Sequence, residues 1–220
     1  MTITVIGDTH NKYDKYYKIA SKCEYSIQLG DFGSESYTKL YYSNLNPNKH
    51  KICSGNHCNY DVAPNIPHYL GDFGQFTLDN RNIFFIRGGI SIDRVYRVGE
   101  ELNGGPKTRW SQEELNYKQM IECEALYKKL KPKIVISHAP PQRFIEKIHG
   151  NKDNSILQRF KFHDGFCENT SLLCDRLLDI HLPDVWISGH HHRDYIENYG
   201  GRTGQMKFIS LGELSTYNLE

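Results

Sequence analysis

Seven side chains in five short blocks of this 220-residue chain have the types and spacing to hold two metal ions. The blocks are Gly7-Asp8-Thr9-His10, Gly30-Asp31, Gly55-Asn56-His57, Ser137-His138 and Gly189-His190-His191-His192. Asp8 and His10 stand two apart, as do His190 and His192. In extended backbone, such alternate side chains share a face. Asp31 offers a carboxylate able to bridge two ions, Asn56 a neutral carbonyl oxygen and His138 an imidazole. Asp, Asn and His without thiolate suit two divalent ions, best Mn2+ with Fe or Zn2+ as alternatives, rather than Cu(I) or an iron–sulfur cluster. Each block alone is an ordinary turn sequence. Five of them at the ends of strand-like runs point to one shared hydrolytic centre.

The runs that would position them are Ile3-Thr4-Val5-Ile6, Ser26-Ile27-Gln28-Leu29, Lys51-Ile52-Cys53, Lys133-Ile134-Val135-Ile136 and Asp184-Val185-Trp186-Ile187. Sites in open α/β sheets lie beyond the carboxyl ends of such strands. Helical spacing of Tyr16, Tyr17, Ile19 and Ala20 predicts a helix over 13–22. A second is expected over 34–43, opened by a Ser cap. Ser111-Gln112-Glu113-Glu114 has capping-box spacing and would open a helix running to Leu130. Another is expected from Ser171 to Ile180. Residues 59–75 read as loop with short strands, and Asn82 to Ile86 as a buried strand. The copy of Leu29-Gly30-Asp31-Phe32-Gly33 at Leu70-Gly71-Asp72-Phe73-Gly74 follows a loop, so Asp72 reads as a turn carboxylate. The stretch from His149 to Gly165 is polar and aperiodic, a loop or lid bordering the pocket. Strands at 195–199 and 207–210 with a Gly-rich turn between them complete the chain. Alternating α/β units with a strand-rich tail imply two sheets face to face with helices outside, in one domain over 1–220.

Lys+Arg 27 against Asp+Glu 26 gives a net charge of +1, which disfavours long nucleic acid as a partner. Bound metals would still supply positive charge for a phosphorylated ligand. The 15 tyrosines offer rings on which a nucleotide base could stack. No apolar run approaches the ~20 residues that span a membrane, so no membrane partner is expected. Met1 to Ile6 leads straight into Asp8, so a cleaved leader is not expected. Six cysteines without a CxxC pair read as reduced packing thiols, consistent with a cytoplasmic location.

In their order along residues 7–192, the blocks resemble those of the calcineurin-like metallophosphoesterases. Arg87 to Arg94, Glu113-Glu114-Leu115 and Leu211-Gly212-Glu213-Leu214 further resemble a small bacterial and phage branch of that superfamily. The resemblance implies a four-layer α/β/β/α sandwich with two mixed sheets, and a binuclear phosphoesterase that uses metal-activated water. Asp8, His10, Asp31 and His192 would hold the first ion. Asp31, Asn56, His138 and His190 would hold the second, with Asp31 bridging. His57 would protonate the leaving oxygen of a small phosphorylated, nucleotide-like substrate. Arg87, Arg94 and Arg109 are candidates to fork onto the phosphate.

Three departures shape that expectation. Cys58 stands where the family often has an acid after Gly-Asn-His, leaving Asp61 as the nearby carboxylate. Asn11 replaces a glycine after His10, and Phe32-Gly33 follows Asp31 in place of Asp-Arg-Gly. The last two disfavour a protein serine/threonine phosphatase. A nuclease is the other catalytic alternative. A non-catalytic phospho-ligand binder is disfavoured because every ligand position and His57 are present.

Overall fold

The computed structural model describes residues 2–150, 168–201 and 204–220. One sheet has the order β10-β1-β2-β3, with β1 Ile3–Ile6, β2 Tyr25–Gln28, β3 His50–Ile52 and β10 Thr216–Leu219. Its first three strands are parallel, and β10 pairs antiparallel with β1. The second sheet has the order β4-β5-β6-β7-β9-β8. Its strands are β4 Phe73–Leu78, β5 Arg81–Ile86, β6 Ile134–Ser137, β7 Val185–Ser188, β8 Tyr195–Gly201 and β9 Gly204–Ser210. Four inner strands are parallel, and each edge strand is antiparallel to its neighbour. The helices are α1 Tyr13–Ala20, α2 Ser34–Tyr41, α3 Arg94–Leu102, α4 Tyr117–Leu130, α5 Gln142–His149 and α6 Asn169–Ile180.

The period of two in each strand creates the layers. In β5, Ile83 and Phe85 join a cluster between the sheets that also holds Val5, Ile27 and Leu29 from the first sheet. Phe84 and Ile86 point the other way, into a cluster with Tyr127 of α4, Phe144 of α5 and Leu177 of α6. The β6 and β7 strands split likewise, Val135 and Trp186 outward, Ile136 and Ile187 inward. Across the first sheet, Ile6 and Ile52 pack with Tyr16 of α1 and with Tyr37 and Leu40 of α2. Helix, sheet, sheet, helix follows, the two mixed sheets flanked by helices that the blocks implied. Strands covered on both faces must be apolar on both. Each large side chain so buried contributes about 1.5–3 kcal/mol. Phe144 lies flat on Phe208 of β9, centroids 3.9 Å apart and planes 6° apart, which clamps α5 to its sheet.

Several local expectations shift. The N-cap of α2 is Gly33, with no side-chain cap bond, rather than a serine. The capping box belongs to Asn116 and Gln119, so α4 opens five residues later than Ser111–Glu114 implied. Those two glutamates are used elsewhere: Glu113 is buried with its carbonyl accepting Gly89 N at 3.0 Å, and Glu114 accepts Thr170 N at 3.0 Å. Helices α3 and α5 were not expected, and His149 ends α5 instead of opening a loop. The rest of that proposed lid, residues 151–165, lies outside the described residues. Asp72 is an ion-pair partner, 2.5 Å from Arg87 Nε, rather than a simple turn residue. Among the described residues, no helix is long and apolar enough to cross a membrane.

Candidate metal centre

Every candidate ligand lies just past the carboxyl end of a parallel strand. Asp8 and His10 follow β1, Asp31 follows β2, Asn56 follows β3, His138 follows β6, and His190 and His192 follow β7. Both sheets therefore contribute. The alternation expected of extended backbone does not explain the pairs, because the chain turns sharply at the ligands. His10, Asp31, His190 and His192 have φ of 46°, 49°, 71° and 53°. Asp and His enter this left-handed region more readily than most residues. Two glycines leave the space: a Cβ on Gly30 would strike the His138 ring, and one on Gly55 would strike both Asp31 and His138.

Asp8, Asp31 and His138 form a buried floor, and His192 rises from it with a side chain 47% exposed. On one side, His192 Nε2 lies 3.1 Å from Asp8 Oδ2. His10 Nε2 lies 3.8 Å from Asp8 Oδ2, 3.7 Å from Asp31 Oδ2 and 2.8 Å from His192 Nε2. Asp8 is fixed by His190 N, which donates to its two oxygens at 3.0 and 3.2 Å. On the other side, His138 Nε2 lies 3.4 Å from Asp31 Oδ1 and 2.8 Å from Asn56 Oδ1. Asp8, His10, Asp31 and His192 form one group with ligand atoms within 4.8 Å of one another, and Asp31, His138 and His190 form a second. Asp31 belongs to both.

The donor set fits cations. His138 Nδ1 is 2.9 Å from the Leu29 carbonyl, which can only accept, so Nε2 keeps the lone pair. Asn56 Nδ2 donates to Ser91 Oγ at 3.0 Å, so the amide oxygen is the atom turned to that imidazole. In the neutral ring, two lone pairs would thus face each other at 2.8 Å. Asp31 Oδ2 is buried without a hydrogen-bond partner. Buried acceptors in such an arrangement are costly unless a positive charge joins them.

The model for calcineurin-like phosphoesterases matches residues 1–194. The chain belongs to that family. This calcineurin-like phosphoesterase is accordingly a metal-dependent hydrolase of phosphoric esters, of a family that works through a dinuclear metal centre. No curated protein matches its sequence. Among solved structures it is similar to a Thermotoga maritima protein at 14% identity and TM-score 0.41, over 100% of this chain and 90% of that one. A novel archaeal phosphodiesterase is similar at 12% identity and TM-score 0.38, over 100% and 99%. Vacuolar protein sorting 29 of Cryptosporidium parvum is similar at 13% and 0.38, over 96% and 74%. At such scores these likenesses add nothing to the family assignment.

The charge state of the phosphoesterase's site follows from burial and from its crowded rings. Burial alone would raise the Asp31 carboxyl, but His138, His57 and His10 outweigh it and hold Asp31 below the usual carboxylate range. Burial lowers His10, against Asp31 and Asp8. A hydrogen bond to Asp8 raises His192. Burial pushes His57 down to about 4, opposed by Asp31 and reinforced by Arg97, so its ring rests neutral at pH 7.

His57 sits at the edge of both groups. Its backbone N donates to Asp31 Oδ1 at 2.7 Å, and its Nε2 lies 3.9 Å from Asp31 Oδ2. Cys58 and Asp61, the residues nearest in sequence that could steady the ring, bond elsewhere. Cys58 Sγ accepts Gly55 N at 3.2 Å, and Asp61 Oδ2 holds Lys107 Nζ and Trp110 Nε1 at 2.8 and 2.9 Å. The neighbour that sequence reasoning missed is Arg97, whose Nη2 is 3.4 Å from His57 Nε2. Asp93 Oδ1 and the Thr108 carbonyl, each at 2.8 Å, fix Arg97 through Nε and Nη1.

The arginines singled out from sequence sit differently. Arg87 is 3% exposed, stacked 4.7 Å from the Tyr60 ring, with Nε on Asp72 and Nη1 on the Gln112 carbonyl. Its Nε and Nη1 are thus engaged within the fold. Arg94 opens α3 one turn before Arg97. Arg109 Nη2 lies 3.7 Å from Glu101. Ser91 and Glu168 were also missed. Ser91 stands within the Arg87–Arg94 run, whereas no motif surrounds Glu168.

Proposed function

We propose that this chain hydrolyses small, nucleotide-like phosphoesters at a binuclear Mn2+ centre. The observation that carries the reading is the position of Asp31, common to both ligand groups and with a buried oxygen that no hydrogen bond satisfies. Asp8, His10, Asp31 and His192 would hold one ion, and Asp31, Asn56, His138 and His190 the other. When bound, the pair would neutralise charge on phosphoryl oxygens and lower the pKa of a water to ~7.

The remaining work falls to the chain's own side chains. Arg97 Nη2, beside His57, is placed to donate to a phosphoryl oxygen. The arriving anion opposes the burial that keeps His57 neutral and offsets the charge of Arg97. His57 then takes up a proton from solvent and gives it to the departing oxygen, which leaves as an alcohol. A net charge of +1 supports a small substrate over long nucleic acid.

The test is turnover of mono-, di- and cyclic nucleotides and aryl phosphates by Mn2+-reconstituted protein. Metal-dependent release from a small nucleotide is expected, with about two equivalents of Mn2+ bound. A binding plateau at one equivalent overturns the binuclear reading. Phosphate binding without turnover on any substrate overturns the catalytic one.

A further inference from the structure

Glu168 is 2% exposed and lies against the second ligand group. Its Oε1 accepts Ile90 N at 2.6 Å, and its Oε2 accepts Ser171 Oγ at 2.8 Å. The same Oε1 is 3.5 Å from His190 Nε2. Ile90 follows β5, Ser171 lies in the first turn of α6, and His190 follows β7. One carboxylate therefore ties three separate segments behind the site. Gly89 leaves the room: a Cβ there would meet Glu168 Oε1 at 2.7 Å and His190 Cε1 at 3.1 Å.

An ionised carboxylate this deeply buried is costly unless it is compensated. An amide and a hydroxyl supply hydrogen bonds without a counter-charge; a neutral imidazole would add a third N–H donor, and an ion held on its far nitrogen would bring the charge. Ligating histidines typically give their other ring N–H to such a carboxylate, which fixes both tautomer and ring angle. We propose that Glu168 is the positioning residue of the second metal site, accepting the Nε2 proton of His190 so that Nδ1 keeps its lone pair for the ion. The proposal rests on the reading of His190 as a ligand.

Glu168→Gln keeps the side chain's shape and an oxygen for Ile90 or Ser171, and removes the charge. Metal-free protein would be titrated with Mn2+ by calorimetry, with His190→Ala defining the second step as the one it abolishes. Glu168→Gln should weaken that same step about 10- to 100-fold and leave the other unchanged. Glu168→Asp, which keeps the charge, should recover part of the loss. The metal-free protein should melt somewhat lower in Glu168→Gln, because one of the Ile90 and Ser171 bonds is lost, while the binding loss stays confined to the second step. Unaltered binding in both steps overturns the proposal. So do equal losses in both steps, the mark of a purely structural group. A third Mn2+ equivalent that Glu168→Gln removes would make Glu168 a ligand together with His190 and His191, and overturn it too. If Glu168→Gln does not fold, Ser171→Ala must weaken the second step alone, and no change there sinks the idea. If His190→Ala leaves both steps intact, the ligand assignment itself fails, separately from Glu168.

Discussion

His10 and His192 bring their Nε2 atoms to 2.8 Å across 182 positions of sequence. They follow β1 and β7, strands of different sheets, so a cation held between them fastens one sheet to the other. Mn2+ should therefore stabilise the whole fold, by about 2.7 kcal/mol per site at a hundredfold excess over Kd. Melting with EDTA against melting with Mn2+ measures this. His10→Ala should remove part of the gain, and Asp31→Asn most of it, because Asp31 serves both groups. An unchanged gain in Asp31→Asn would show that the bridge is misassigned.

His57→Ala should keep its metal and lose turnover by about 10²–10⁴-fold. The loss should shrink for aryl esters, whose leaving groups need little protonation. Rates measured for good and poor leaving groups separate an acid from a residue that only positions the phosphate, since the latter gives equal losses.

Arg97→Ala should lower kcat/KM by about 10- to 100-fold, the worth of one charge-assisted hydrogen bond. Arg97→Lys keeps the charge but not the fork that Asp93 and Thr108 hold in place, so it should restore only part. Arg87→Lys should instead lower the melting temperature, because Arg87 is buried against Asp72 and Tyr60. A selective catalytic loss in Arg87→Lys, with stability intact, would reverse these roles.

Acid should destabilise the fold through His50, away from the metal centre. Burial pushes this histidine from 6.5 down to about 4, and its Nδ1 lies 2.9 Å from Ser26 Oγ. The unfolded chain binds the proton first as pH falls, so stability is complete above pH ~6.5 and is lost between ~6.5 and ~4. At 1.36 kcal/mol per unit, the loss is on the order of 3 kcal/mol. His50→Asn should flatten that slope in EDTA-treated protein, measured by urea unfolding at several pH values. An unaltered slope would mean that other groups govern acid unfolding.

Strand ends and ligand types were legible in the chain because both are local. A β-prone run has a period of two, and a candidate metal ligand is known by its side chain, so Asp8, Asp31 and His138 could be singled out before their neighbours were known. The same period sorted Phe84 from Phe85 into different layers. What the tertiary structure decided was pairing. Arg87 and Arg97 look alike as letters, yet Asp72 folds one into the interior while Asp93 and Thr108 aim the other at His57. Glu113 fits a helix cap by spacing, yet it is buried beside Ser91. Glu168 carries no local signal, and its carboxylate meets Ile90 from 78 positions away. Sequence spacing reports what neighbours a residue has along the chain. Which charge a buried carboxylate or guanidinium faces depends on packing between distant segments, and there the energetic cost of burying an unpaired charge selects the partner.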